Sequence, residues 1–188
     1  MEKLDMNNQF WKNKKVLITG HNGFKGSWLT TILTLMEAKV WGVSLIASHG
    51  PTIYNLAKIN YLTELNEIID IRNYSKLLHS VKQNKPDIIF HLAAQSIVGK
   101  SYENPIETYS TNIMGTVNLL EAIREIESIK CVINVTSDKC YENRETTVGY
   151  KEDETIGGSD PYSNSKGCVE LISDAYRKSY FNDLKISL

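Results

Sequence analysis

The sequence predicts an α/β fold, a doubly wound parallel sheet with helices on both faces. Three observations predict it. From residue 15 onward, β-rich runs alternate with amphipathic stretches, giving five strands with crossovers and a sixth begun at Lys185. The first strand runs straight into a glycine loop and then a helix. Small or hydroxyl-bearing residues, Ala93-Ala94 and Thr136-Ser137, stand at the carboxyl ends of later strands, where open α/β sheets place ligands.

The elements follow in order. Residues 15–19 (Lys-Val-Leu-Ile-Thr) form the first strand, and 20–26 form a loop of the type G-x-x-G-x-x-G. A helix over 27–38 carries Trp28, Leu29, Ile32, Leu33 and Met36 at helical spacing. Glycine lets backbone turn tightly and approach a pyrophosphate, and the helix N-terminus offers it free N–H groups and a positive dipole end. Strand, loop and helix in this order mark a Rossmann-type dinucleotide fold.

Strand two covers 40–45. Positions 41–49 hold neither the acid that grips ribose hydroxyls nor a cation for a 2′-phosphate. A polar connection over 49–65 is expected to contain one helical turn at 54–57, and strand three covers 67–71. Asp70, near that strand's end, is either an acceptor for an adenine amino group or a helix N-cap or turn residue before Asn73. A helix over 74–83 leads to strand four at 88–94, in which His91 reads as a packed core residue. His21, His49 and His79 read as surface or loop residues without metal spacing. After a loop at 95–104, a long helix spans 105–126 with Pro105 in its first turn. Asn112, a poor helix former in its middle, either bonds a neighbouring backbone or faces solvent. Strand five covers 130–136, a polar loop 139–161, and a second long helix 163–180.

Composition excludes several classes. The chain has 188 residues, a net charge of −1 and 41% hydrophobic residues, so it carries no global basic field for nucleic acid or an anionic membrane. No apolar run reaches transmembrane length, and the polar N-terminus lacks the apolar centre of a signal peptide. Cys131, Cys140 and Cys168 have no CxxC spacing and read as free thiols of a reducing, cytoplasmic protein with no metal site.

The chemistry concentrates in two segments. One is Thr136-Ser137-Asp138-Lys139 at the end of strand five. The other is Tyr162-Ser163-Asn164-Ser165-Lys166, which places a phenol and an ammonium one helical turn apart. A lysine beside a phenol favours phenolate, turning an acid of pKa about 10 into a usable base.

Thr19-Gly20-x-x-Gly23-x-x-Gly26, His91-Leu92-Ala93-Ala94, Ser137 and Tyr162-x-x-x-Lys166 together resemble the extended short-chain dehydrogenase/reductase family. Within it, residues 19–29, 91–122 and 135–143 are similar to the CDP-glucose 4,6-dehydratases. The resemblance implies NAD as cofactor, held by Gly20, Asn22, Gly23, Phe24, Lys25, Gly26, Asp70, Ile71, Leu92, Ala93, Ala94, Tyr162 and Lys166. It implies catalysis by Ser137, Asp138, Lys139, Tyr162 and Lys166 on a nucleotide sugar, CDP-glucose. Tyr162 would take the proton of the sugar 4-hydroxyl, Ser137 would hydrogen-bond the 4-oxygen and Asp138 would protonate the departing 6-hydroxyl. Lys139 stands where related dehydratases carry a glutamate base. Gly99-Lys100 replaces two basic residues frequent in the family, and Lys25 is dipole-unfavourable at its helix start.

The resemblance also implies a homodimer through the helices 105–126 and 163–180. Residues 184–188 read like the start of a strand, so residues 1–188 are expected to be an NAD-binding domain without the C-terminal substrate-binding part, inactive when isolated. Two other readings remain open. One is another extended family member, such as an epimerase or reductase, which would need no Asp138. The other is a dinucleotide-binding sensor, which would need no Tyr162–Lys166 pair.

Overall fold

The computed structural model describes residues 8–47 and 49–188, and His49 is exposed, as expected. Five parallel strands make one sheet: β1 (Lys15–Thr19), β2 (Lys39–Ser44), β3 (Leu65–Ile68), β4 (Ile88–His91) and β5 (Cys131–Asn134). Their order is β3-β2-β1-β4-β5. The chain winds outward from β1 to β3, then returns to place β4 on the other side of β1. That reversal opens a crevice at the carboxyl ends of β1 and β4.

Helices cover both faces. In chain order they are α1 (Asn8–Trp11), α2 (Phe24–Leu35), α3 (Ile53–Leu56), α4 (Tyr74–Asn84), α5 (Val98–Glu103), α6 (Pro105–Tyr109), α7 (Gly115–Arg124), α8 (Pro161–Tyr176) and α9 (Asn182–Leu184). Strand β1 shows why two layers are needed. Leu17 packs in a core with Leu77 of α4 and Leu119 and Ile123 of α7. Its neighbours Val16 and Ile18 point the other way, into a second core with Leu33 of α2 and Val40 of β2. All three are fully buried. Removing one such side chain, as in Leu17→Ala, costs about 2–5 kcal/mol.

The structure moves several boundaries. Strand three ends at Ile68 rather than residue 71, because the Asp70 carboxylate accepts from the Arg72 N–H at 2.9 Å and turns the chain. Residues 92–94 and 135–136 lie beyond the ends of β4 and β5 and line the crevice. Helix α5 occupies part of the expected loop 95–104. The helix expected over 105–126 is α6, a π-helical turn (Ser110–Met114) and α7. Helix α8 starts two residues early, since Asp160 caps it by accepting from Ser163 N at 3.0 Å with Pro161 in the first turn. It continues through a second π-helical turn (Arg177–Phe181) into α9. The sixth strand begins as foreseen: Ser187 bridges Cys131 in parallel, and Val132 N donates to Ser187 O at 2.7 Å.

His21 corrects its expected placement on the surface. It is 2% exposed, and a Cβ on Gly42 would fall 2.4 Å from its ring. The glycine of β2 makes room for an imidazole that begins the glycine loop. Tyr54 meets the ring edge-on, 5.4 Å between centroids. No helix among the described residues is long and apolar enough to cross a membrane.

Candidate active site at the strand ends

The glycine loop is built by close approach. Gly20 has φ +74°, and a Cβ on it would lie 2.8 Å from Ala93 N, so glycine lets the end of β1 meet the segment after β4. A Cβ on Gly26 would lie 2.2 Å from Gly20 O. Gly23 caps α2 without a side-chain hydrogen bond, leaving first-turn N–H groups of the helix open toward the crevice. Asn22 Nδ2 donates to Leu45 O at 2.7 Å and ties the loop to the end of β2.

The crevice is a cavity of about 580 Å³, within the range of small-molecule sites. Every residue expected to hold the cofactor lines it. Gly20, Asn22, Gly23, Phe24, Lys25 and Gly26 form one wall, and Asp70 and Ile71 another. Leu92, Ala93 and Ala94 come from the segment after β4, and Tyr162 and Lys166 from α8. Asp70 is paired with Arg72 at 2.5 Å, and that guanidinium holds its carboxyl below the usual carboxylate range.

Tyr162 and Lys166 are 9% and 6% exposed. Burial, then the nearby charge of Lys25, lowers the Lys166 ammonium to about 8. A lysine so placed exchanges its proton in the neutral range, which suits it to tuning a neighbouring phenol.

Ser137, Asp138 and Lys139 behave differently. They enter a 3₁₀ turn (Asp138–Cys140) in which Ser137 Oγ donates to Asp138 Oδ1 at 3.1 Å and accepts from Lys139 N at 3.2 Å. Asp138 and Lys139 are exposed. None of the three lines the cavity, although their neighbours Val135 and Thr136 do. The Thr136 hydroxyl donates to the Glu170 carboxylate on α8, fixing the chain just before the turn.

Three features escaped the sequence reading, and a fourth, Asn112, takes the first of its two expected alternatives by bonding backbone. Arg72 lines the cavity as partner of Asp70. Lys100 and Glu107 line it as an ion pair at 3.0 Å. Gln95 is 8% exposed, and its side chain donates to Thr108 Oγ1 at 2.9 Å. Asn112 lies in the π-helical turn, 2% exposed, and clamps the Gln95 backbone. Its Oδ1 accepts from Gln95 N at 2.8 Å and its Nδ2 donates to Gln95 O at 3.0 Å. The same Nδ2 reaches Ser165 Oγ at 2.8 Å. The available signal was an asparagine in the middle of a helix, and π-helical turns favour functional sites. Among the described residues, no group of three His, Cys, Asp or Glu side chains could hold a metal ion.

The sequence profile described as GDP-mannose 4,6 dehydratase matches residues 17–186. Over 173 residues the chain is 55% identical to CDP-glucose 4,6-dehydratase of Salmonella typhimurium, covering 92% of this chain and 48% of that protein. It is 32% identical over 177 residues to GDP-mannose 4,6-dehydratase of Vibrio cholerae, covering 89% and 46%. Among solved structures, UDP-glucose 4-epimerase of Thermotoga maritima matches with a TM-score of 0.77 at 25% identity, over 88% of this chain and 52% of that one. UDP-glucose 4-epimerase of Brucella ovis, solved in complex with NAD, matches with a TM-score of 0.77 at 24% identity, over 89% and 49%. The chain spans about half the length of the curated relatives it matches.

Proposed function

The chain belongs to the GDP-mannose 4,6 dehydratase family, within the extended short-chain dehydrogenases/reductases, and from that premise we propose that it is the NAD-binding half of a CDP-glucose 4,6-dehydratase. The observation that carries the reading is the Tyr162–Lys166 pair lining the cavity that the glycine loop builds, in a chain 55% identical to such an enzyme.

The residues fit a dinucleotide. The cradle between Gly20 and Gly26 has no room for a Cβ, and the open turn of α2 faces it. Gly20, Asn22, Gly23, Phe24, Lys25 and Gly26 would hold the pyrophosphate region, and Asp70 and Ile71 the adenine. Leu92, Ala93, Ala94, Tyr162 and Lys166 would hold the nicotinamide half. Arg72 is occupied by Asp70, which favours NAD over a 2′-phosphorylated cofactor. When bound, NAD supplies the hydride acceptor and donor.

The chain supplies the proton chemistry. Tyr162, as phenolate beside Lys166, takes the proton of the sugar 4-hydroxyl, and Ser137 hydrogen-bonds the 4-oxygen. The resulting ketone acidifies the C5 proton. Asp138 would pass a proton to the departing 6-hydroxyl, and Lys139 stands where a C5 base or an enolate-stabilising charge is needed. The exposed turn holding these groups is the sugar-facing side of the site.

A homodimer is part of the proposal. The helices expected at its interface expose Ile106 at 80%, Met114 at 51% and Leu171 at 59%. The three cysteines are free thiols, in keeping with a cytoplasmic enzyme. The complete protein, incubated with CDP-glucose and other nucleotide-glucoses, should give the ultraviolet absorbance of a 4-keto sugar in base with CDP-glucose. No signal with any of them removes the reading.

A further inference from the structure

His91 carries a buried hydrogen-bond path that joins two walls of the cavity. The imidazole is 4% exposed at the end of β4. Its Nδ1 lies 2.6 Å from Thr19 Oγ1, and its Nε2 lies 3.1 Å from Thr116 Oγ1. Counting protons gives the path a direction. A threonine hydroxyl has one proton to donate. Thr116 donates its proton to Asn112 O at 2.7 Å, so the hydroxyl can only accept from His91, and Nε2 must carry the ring proton. In a neutral ring Nδ1 is then bare and accepts from the Thr19 hydroxyl. Thr19 Oγ1 in turn accepts from Ala93 N at 3.3 Å.

The neutral state is fixed by surroundings. The ring is buried, and the ammonium of Lys166 adds a positive charge nearby. Together they push it down to about 3, burial being the larger cause. An imidazolium would also leave the Thr19 proton without its acceptor.

The path does not stop at Asn112. That side chain donates to Ser165 Oγ at 2.8 Å, and Ser165 Oγ donates to Tyr162 O at 2.7 Å. Two runs of hydrogen bonds, joined through the covalent frame of Asn112, therefore link Ala93 N–H to the backbone of Tyr162. Both end residues line the cavity. The link crosses β1, β4, α7, the π-helical turn and α8.

We propose that Thr19, His91 and Thr116 form a directional positioning relay, with His91 as the neutral Nε2–H tautomer, that sets Tyr162 against the Ala93 wall. None of the three touches the reacting atoms. They act through Asn112 and Ser165 on the placement of the phenol. The catalytic consequence rests on the reading of Tyr162 as base, whereas the tautomer does not.

The test therefore has two arms, both on the complete protein. Nitrogen-15 histidine NMR, with the His91 signal assigned by comparison with His91→Gln, should show Nδ1 bare and Nε2 protonated, unchanged between pH 6 and 8. An Nδ1–H tautomer, or a titration in that range, overturns the relay. In the second arm, Thr116→Val removes the acceptor and donor while keeping the side chain's shape. It should lower kcat with CDP-glucose about tenfold, the size of one net hydrogen bond. KM should stay within about twofold, and Thr116→Ser should restore the rate. Parent kcat in Thr116→Val, or equal loss in both variants, overturns the positioning role. If the parent itself turns over no nucleotide sugar, the functional reading fails while the NMR arm still decides the relay.

Discussion

Two regions at the carboxyl ends of the strands are built on opposite principles. At the end formed by β1, β4 and α8, each polar side chain in the path from Thr19 to Ser165 is buried and paired, and glycines hold backbone against backbone. At the end of β5, Ser137, Asp138 and Lys139 form a short turn whose side-chain bonds are to one another, with Asp138 and Lys139 in solvent. A buried polar group left unpaired costs about 1–3 kcal/mol, so the first end tolerates little change. The second end tolerates substitution structurally and should register it in chemistry alone. The contrast teaches where this fold is preorganised: in the glycine loop and the buried polar path, not in the turn after β5.

The largest break expected in that contrast is Gly26→Ala. Its Cβ would fall 2.2 Å from Gly20 O and 2.7 Å from His21 Cα, both backbone atoms. The loop must open, and calorimetric titration should show NAD affinity reduced at least about a hundredfold, equivalent to about 2.7 kcal/mol. Tyr162→Phe should keep NAD binding within a few-fold and lower kcat by about a thousandfold, the range of a lost general base. Asp138→Asn should leave both NAD binding and thermal stability unchanged and slow elimination about a hundredfold. Dehydration of CDP-glucose at the parent rate would end its assignment as the acid.

The smallest effect is one of stability. Lys166 titrates near 8 in the folded chain, below its ordinary 10.5. The buried charge therefore opposes folding in full below about pH 8, and the opposition fades as pH rises toward 10.5. Without cofactor, Lys166→Met should melt several degrees higher than the parent at pH 7, with the gain shrinking toward pH 10. A gain that grows with pH would contradict the burial of a charged lysine.

The sheet was legible because its signals are local. The glycine loop, the strand runs and the cap Asp160-Pro161 each sit within a few residues of the structure they specify. What failed to show depends on distant partners. Asn112 meets Gln95 and Ser165, 17 and 53 positions away, so its burial cannot be read from helical periodicity. His21 is buried because Gly42 leaves space for its ring, a fact written on another strand. The end of β3 was misplaced because Ile69, Asp70 and Ile71 look like strand, while the Asp70 carboxylate turns the backbone at Arg72. For the site, the residue set around the cavity was implied by the family resemblance that the motifs carry. Sequence could place Ser137, Asp138 and Lys139 at a strand end but could not show that they face solvent rather than the cavity.

The most direct test of the account follows one atom. CDP-glucose carrying deuterium at C4 is given to the complete protein, and the product is read by NMR and mass spectrometry. Deuterium in the C6 methyl group of a 4-keto-6-deoxy product is the result the proposal predicts, with Tyr162 initiating oxidation at C4 and Asp138 releasing the 6-hydroxyl without loss of the hydride to solvent. A 4-epimer that keeps deuterium at C4, or unchanged substrate, would contradict it.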